Sequence, residues 1–255
     1  MGKIIAVAQH KGGTGKTTTC INLGASLCLA GKKVLLVDID PQASLSVSLG
    51  LNPVGIEKSV HDLLINPEVN LSEVIQSSEV QDLFIVPSHV DLAMVELEVA
   101  GKIGREKLLK KKLETAREEF DFIFIDCPPT LGTIAINALA AADSILIPMQ
   151  SEPLTLYGMK HLLELYHLIK EELNPSLKIE GILITMLDRR TRLGQDTAKS
   201  IRDTFGDLVF QTVIYRHIKL AEGPICMTPA SFYARNSQAS QEYQELAEEL
   251  LSHED

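Results

Sequence analysis

Gln9-His10-Lys11-Gly12-Gly13-Thr14-Gly15-Lys16-Thr17-Thr18 decides the reading of this chain. It follows the apolar run Ile4-Ile5-Ala6-Val7-Ala8, which has the composition of a buried strand. It leads directly into a helical pattern from Lys16 to Ala30. Glycines at 12, 13 and 15 let the backbone turn tightly and approach a ligand without Cβ clashes. The freed N–H groups and the positive end of the helix dipole then both point at an anion. Strand, glycine-rich turn and helix N-terminus in this order form a phosphate cradle. Within it Lys16 reaches the β- and γ-phosphates of a nucleotide, and the Thr17 hydroxyl holds Mg2+.

The usual phosphate loop is written G-x-x-x-x-G-K-[ST]. Here His10 stands where the first glycine belongs, and a second lysine, Lys11, lies five residues before Lys16. A lysine at the entrance either lies over the phosphates of its own chain or projects outward. The rest of the cradle is Gly12, Gly13, Thr14, Gly15, Thr17 and Thr18.

Working outward, the first helix carries Ile21, Leu23, Gly24, Leu27, Cys28 and Ala30 on its apolar side, and Gly31 suits its C′ position. Lys33-Val-Leu-Leu-Val-Asp38 is a second buried strand. Strand, crossover helix and strand at this length make a parallel, right-handed unit. Asp38-Ile39-Asp40-Pro41-Gln42 then falls at a strand's carboxyl end, the edge where α/β proteins bind ligands. Phe122-Ile-Phe-Ile-Asp126 is a further buried strand that ends in an acid, and Cys127-Pro128-Pro129 must turn sharply after it.

Asp126 is placed to anchor a Mg2+ shell, often through water, so the metal set is Thr17, Asp126 and Asp40. A free aspartate has a pKa of ~3.9 and is a weak base at neutral pH. The task suited to Asp40 is therefore to orient a water in line with the γ-phosphate, because phosphoryl transfer relies on positioning. Asp38 is read as support for the loop or the metal shell.

The remaining pattern alternates without a Pro/Gly/Ser-rich linker, so residues 1–255 read as one α/β domain. The expectation is a mostly parallel, twisted sheet of about seven to eight strands with helices on both faces. Residues 43–82 promise short helices and loops, and Leu83–Val86 a short strand. Residues 91–119 hold a long helical pattern interrupted near Gly101 and Gly104, with Lys107–Lys112 as a solvated face. Helix 132–142, strand 144–149, helix 154–173, strand 179–186, helix 195–205, strand 209–214 and helix 237–251 follow.

Of the 255 residues 45% are hydrophobic, enough for a sizeable core, and no apolar run approaches the ~20 residues of a membrane span. The start Met-Gly-Lys-Ile-Ile lacks the features of a secretory signal or a myristoylation site. Four cysteines (Cys20, Cys28, Cys127, Cys226) show no metal spacing and read as reduced thiols in or near the core of a cytoplasmic protein. The net charge of −10 argues against a generally basic nucleic-acid binder. Any DNA contact needs a local patch, and Arg189, Arg190 and Arg192 with Arg216 and Lys219 offer one.

Lys11-Gly-Gly-Thr-Gly-Lys16-Thr-Thr18 resembles the deviant Walker A box of the ParA/MinD ATPases. Val37–Gln42 and Ile123–Pro129 resemble the next two motifs of that family. The similarity runs from residue 3 to about 250 and is closest to the Soj-like chromosome and plasmid partition proteins. It implies a P-loop fold, ATP and Mg2+ as ligands, slow hydrolysis, and Asp40 as the acid that positions water. It also implies that two ATP-bound chains face each other, each Lys11 reaching its partner's phosphates as an arginine finger does. Lys11, Lys16 and Asp40 are then the catalytic set. Further implied are non-specific DNA binding by the ATP dimer, association with the nucleoid, and a ParB-like centromere-binding partner that stimulates hydrolysis. Glu152–Gly158 resembles a segment that helps build the dimer face. Near the adenine the family usually has Pro-x-Asn, where this chain has Tyr215-Arg-His217.

Competing expectations come from other branches. A MinD-like regulator at a membrane needs a basic amphipathic C-terminal helix, whereas this chain ends in an acidic one, so no membrane is expected. An iron–sulfur relative needs cysteines placed at the dimer interface. A small-molecule ligase needs a second substrate pocket. With the loop so near the start there is no room ahead of it for a helix-turn-helix domain, so operator-specific DNA binding is not expected.

Overall fold

The computed structural model describes residues 1–152 and 155–253, with the side chains of 156–158 left aside. In chain order the elements are β1 (Lys3–Val7), α1 (Lys16–Leu29), β2 (Val34–Asp38), α2 (Ser44–Ser48), α3 (Val60–Ile65), β3 (Gln76–Ser77), β4 (Leu83–Val86), α4 (Val95–Glu98), α5 (Leu108–Leu113) and β5 (Phe122–Asp126). There follow α6 (Thr133–Ala141), β6 (Ser144–Gln150), α7 (Thr155–Glu172), β7 (Lys178–Leu187), α8 (Arg192–Phe205), β8 (Val209–Tyr215), α9 (Ile218–Cys226), α10 (Ala230–Tyr233) and α11 (Gln238–Ser252). The eight strands form one sheet in the order β3-β4-β2-β5-β1-β6-β7-β8. All neighbours run parallel except the short β3, which is antiparallel to β4. This is the mostly parallel α/β sheet expected.

Strand residues alternate between two cores. Ile4, Ala6, Leu35, Val37, Ile123, Ile125, Ile145 and Ile147 pack on one face, under helices that include α6 and α7. Ile5, Val7, Leu36, Phe122, Phe124 and Leu146 pack on the other, under α1 and α11. Both faces are covered, which is why β1, β2 and β5 read as unbroken apolar runs. Helix α1 ends in a Schellman arrangement. Gly31, at φ 80°, gives its N–H to Cys28 O, and Lys32 N–H reaches Leu27 O. At the sheet's edge the N–H groups of β8 are closed off by carboxylates of α11. Glu249 accepts from Gln211 and Thr212, and Glu242 accepts from Tyr215.

Three expectations change. The 91–119 pattern breaks as expected near Gly104 (φ 74°), but the pieces are only α4, α5 and 3-10 turns. Its apolar face survives the interruptions, with Leu92, Val95, Val99, Leu109, Leu113 and Ala116 all buried. Lys112 is not simply solvated, since its ammonium donates to the carbonyls of Asn66, Pro67 and Val69. Cys226 is exposed rather than near the core, and it closes α9, a helix with no buried residue.

Candidate active site

The carboxyl ends of β1, β2, β5, β6 and β7 converge on the loop that joins β1 to α1. Gly13 and Gly15 have φ of 71° and 89°, a region where a side chain would strain the backbone. No side chain caps α1, so its first N–H groups face the site unpaired, as anion binding requires. Neighbouring strands hold the loop from beside. Thr185 Oγ1 donates to Thr14 O at 2.8 Å, and Gln150 Nε2 donates to Gly13 O at 2.6 Å. Lys16 is buried, with its ammonium 3.4 Å from Lys11 O.

Asp38 and Asp126 pair in register at the ends of β2 and β5. Burial pushes the Asp38 carboxyl up to about 6, although Ser46 donates to it through both N–H and hydroxyl (2.9 and 2.7 Å) and Asp40 through N–H (3.2 Å). These donors fasten the segment after β2. Burial also raises Asp126, and the neighbouring Asp38 charge adds to it, while a hydrogen bond from Thr17 works the other way. That bond, Thr17 Oγ1 to Asp126 Oδ2, is 2.7 Å long. Asp126 Oδ1 is buried with no hydrogen-bond partner. An orphaned carboxylate oxygen beside a threonine hydroxyl fits a magnesium ion that keeps most of its waters. Asp40 is half-buried. One carboxylate oxygen accepts from Gln42 N–H at 2.9 Å, and its carbonyl accepts from Ser88 Oγ at 2.7 Å.

Lys11 bends back along its own chain. Its ammonium meets Glu152 Oε2 at 2.5 Å and Gln150 Oε1 at 3.2 Å. Of the expected dimer segment, Pro153 and Leu154 and the side chains of 156–158 lie outside the described residues.

A cavity of about 870 Å³ opens from the loop and is lined by Gly15, Thr18, Met186, Tyr215, His217 and Leu220, among others. The structure thus brings Tyr215 and His217 to the same hollow as the loop. Glu242 is buried and fixes both: it accepts from Tyr215 N–H at 3.0 Å, and His217 Nε2 lies 2.9 Å from each of its oxygens. The Arg189 guanidinium lies over the Tyr215 ring, 3.7 Å from its centre. Arg189, Arg190 and Arg216 therefore share the cavity wall. Arg190 is committed to Asp188 at 2.9–3.0 Å, which holds that carboxyl down to about 2, and Lys219 pairs with Glu222 at 2.9 Å. Arg192, the first residue of α8, is exposed and makes no ion pair among the described residues.

Sequence reasoning missed Gln150, Thr185, Ser46, Ser88 and Glu242. Each acts on a residue in a motif but lies outside the motifs, and only the fold brings them together.

Fold and site together define a P-loop nucleotide-binding protein whose loop carries a second lysine. Residues 2–179 match the family described as the AAA domain. The chain is 43% identical over 252 residues to the sporulation initiation inhibitor protein Soj of Bacillus subtilis (strain 168), covering 99% of each. Among solved structures it is similar to cobyrinic acid a,c-diamide synthase of Mycobacterium smegmatis with bound ATP analogue and magnesium. There the TM-score is 0.87 and the identity 34%, over 99% of this chain and 96% of that one. It is also similar to the cell division ATPase MinD of Pyrococcus furiosus (TM-score 0.82, 27% identity, 99% and 100% covered). The chain belongs to the ParA/MinD family of ATPases, in its Soj/ParA group.

Proposed function

We propose that this protein is a partition ATPase that binds and slowly hydrolyses Mg-ATP, pairs with a second copy in the ATP state, and in that state binds DNA without sequence preference. The observation that carries the reading is the unpaired N-terminus of α1 with Lys16 behind it and Thr17 bonded to the half-satisfied Asp126. The residues present fit the nucleotide and its metal. Gly12, Gly13, Thr14, Gly15, Lys16, Thr17 and Thr18 would hold phosphate, while Thr17 and Asp126, with Asp40, would hold magnesium. The bound Mg-ATP supplies the anhydride bond and much of the charge neutralisation. Asp40 orients water, and Lys16 balances negative charge on the leaving side. Lys11 leaves Glu152 and reaches the second copy's phosphates.

On the base side, a carboxylate on His217 Nε2 makes that nitrogen the donor, and in the neutral imidazole Nδ1 is then the acceptor. An acceptor suits the exocyclic amine of adenine and disfavours the carbonyl of guanine. Arg189, Arg190, Arg192, Arg216 and Lys219 are the candidate DNA contacts, and a ParB-like protein is the expected stimulator. The protein then works on the nucleoid in the cytoplasm.

Support for this over a membrane-bound regulator comes from α11. Its apolar side, Tyr243, Leu246, Ala247 and Leu250, is packed in the core, while Glu245 and Glu248 face outward. Among the described residues no helix is long and apolar enough to cross a membrane. DNA gel shifts with ATP, ADP and no nucleotide test the reading, beside sedimentation with anionic liposomes. DNA retained only with ATP is the expected result. Retention by liposomes without any DNA binding would move the protein to the membrane class.

A further inference from the structure

We infer that Gln150 is a positioning residue for both the phosphate loop and Lys11, and that with Glu152 it keeps Lys11 on its own chain until a second copy arrives. The inference rests on the reading of Lys11 as the group that crosses between copies. Gln150 is the last residue of β6, next to β1 in the sheet. Its amide has a single satisfiable orientation. The Lys11 ammonium only donates, so Oε1 must face it, at 3.2 Å; the Gly13 carbonyl only accepts, so Nε2 must face it, at 2.6 Å. The Nε2 group also lies 3.0 Å from Met186 Sδ. Met186 is itself in the left-handed region, at φ 53°, a backbone that persists only where its surroundings hold it.

Two consequences follow from this one side chain. A Gly13 carbonyl tied to β6 cannot also turn its negative end toward a phosphate, so the loop keeps its N–H groups for the anion. Lys11 is held by one carboxylate and one neutral oxygen. Its side chain is 33% exposed and that of Glu152 is 49% exposed. A pair so open to water favours its closed form by only about 2–5-fold, weak enough for a triphosphate to win the lysine. A second carboxylate at position 150 would tighten the hold and set an anion against the Gly13 carbonyl.

The test uses the full chain and two measurements: nucleotide affinity by titration with a fluorescent ATP analogue, and the protein concentration at which dimers form in sedimentation velocity at saturating Mg-ATP. Glu152→Gln should leave nucleotide affinity unchanged and lower the dimerisation concentration about 2–5-fold. Gln150→Glu should weaken nucleotide affinity about tenfold and, unlike Glu152→Gln, raise the dimerisation concentration above that of the parent. In Gln150→Glu combined with Glu152→Gln, dimerisation should recover while nucleotide affinity stays weak. A merely structural defect would move both measurements together, and a thermal melt checks that each variant is folded. Glu152→Gln exposes no core, so it remains informative even if Gln150→Glu does not fold. The inference is overturned if Glu152→Gln leaves the dimerisation concentration unchanged or raises it, or if the folded double variant recovers nothing. Lys11→Ala separates the two ideas. Should it dimerise on ATP like the parent, the crossing role of Lys11 is wrong. Should it stay monomeric while the other variants show no split, the role of Gln150 alone is wrong.

Discussion

The two ends of the nucleotide cleft are built in different ways. At the phosphate end the chain acts through backbone: Gly13 and Gly15 at positive φ, an uncapped helix, and carbonyls tied back by Gln150 and Thr185. At the base end it acts through side chains brought from three elements: Arg189 after β7, Tyr215 at the end of β8 and Glu242 in α11. Backbone devices need particular residues at fixed local spacing, so they leave a motif. Side-chain devices need only that some group of the right chemistry arrives, so they leave none.

The sharpest way to break that contrast is Lys16→Ala. It removes the buried ammonium proposed to hold the phosphates, and charge-assisted contacts of this kind are worth about 3 kcal/mol, or about 100-fold in affinity. Titration calorimetry with Mg-ATP should show that loss, and unchanged affinity would place the nucleotide elsewhere. Next in size is Asp40→Ala, which should keep ATP affinity within about twofold and lower turnover about 100-fold. The split is expected because, among the described residues, the Asp40 carboxylate accepts a hydrogen bond only from the Gln42 N–H in its own loop. A normal rate of phosphate release would remove Asp40 from the chemistry.

How much of this the sequence showed follows the same division. β1, β2, β4 and β5 could be placed from their apolar runs because a strand covered on both faces has no other composition available. The acids at 38, 40 and 126 could be assigned to one sheet edge because the parallel order fixes which strand ends share an edge. The two-residue β3 is too short to show periodicity. Helix α9 went unseen because it buries nothing and contains Gly223 and Pro224, so neither pattern nor propensity announces it. The Lys11–Glu152 contact joins residues 141 apart and is visible only once β1 and β6 lie side by side.

A gentler probe addresses the base end. Glu242→Gln keeps the size of the side chain but no longer compels His217 to present Nε2–H to it, so Nδ1 is free to carry the proton. Discrimination of ATP over GTP should fall several-fold, within about tenfold, while total phosphate-driven affinity barely moves. Competition of GTP against a fluorescent ATP analogue measures this. If the ratio holds, base choice lies in the backbone after all, and the contrast between the two ends narrows.

The smallest effect is expected from Arg192→Ala, and it separates two uses of the arginine cluster. Arg192 opens α8 with no acidic partner among the described residues, whereas Arg189 lies on Tyr215 inside the cavity wall and Arg190 is occupied by Asp188. A lysine or arginine that meets only a DNA phosphate contributes uniformly across sequences and about one unit to the slope of log affinity against log salt. Arg192→Ala should therefore weaken DNA binding by the ATP form about 2–5-fold, lower that slope by about one, and leave nucleotide affinity alone. Arg189→Ala should instead disturb nucleotide affinity together with DNA binding, because the cation removed is part of the base-side wall. If the two variants behave alike in both assays, the cluster is a single DNA stripe and Arg189 belongs to it; if they part as described, the base end of the cleft reaches to the edge of the DNA surface through one stacked guanidinium.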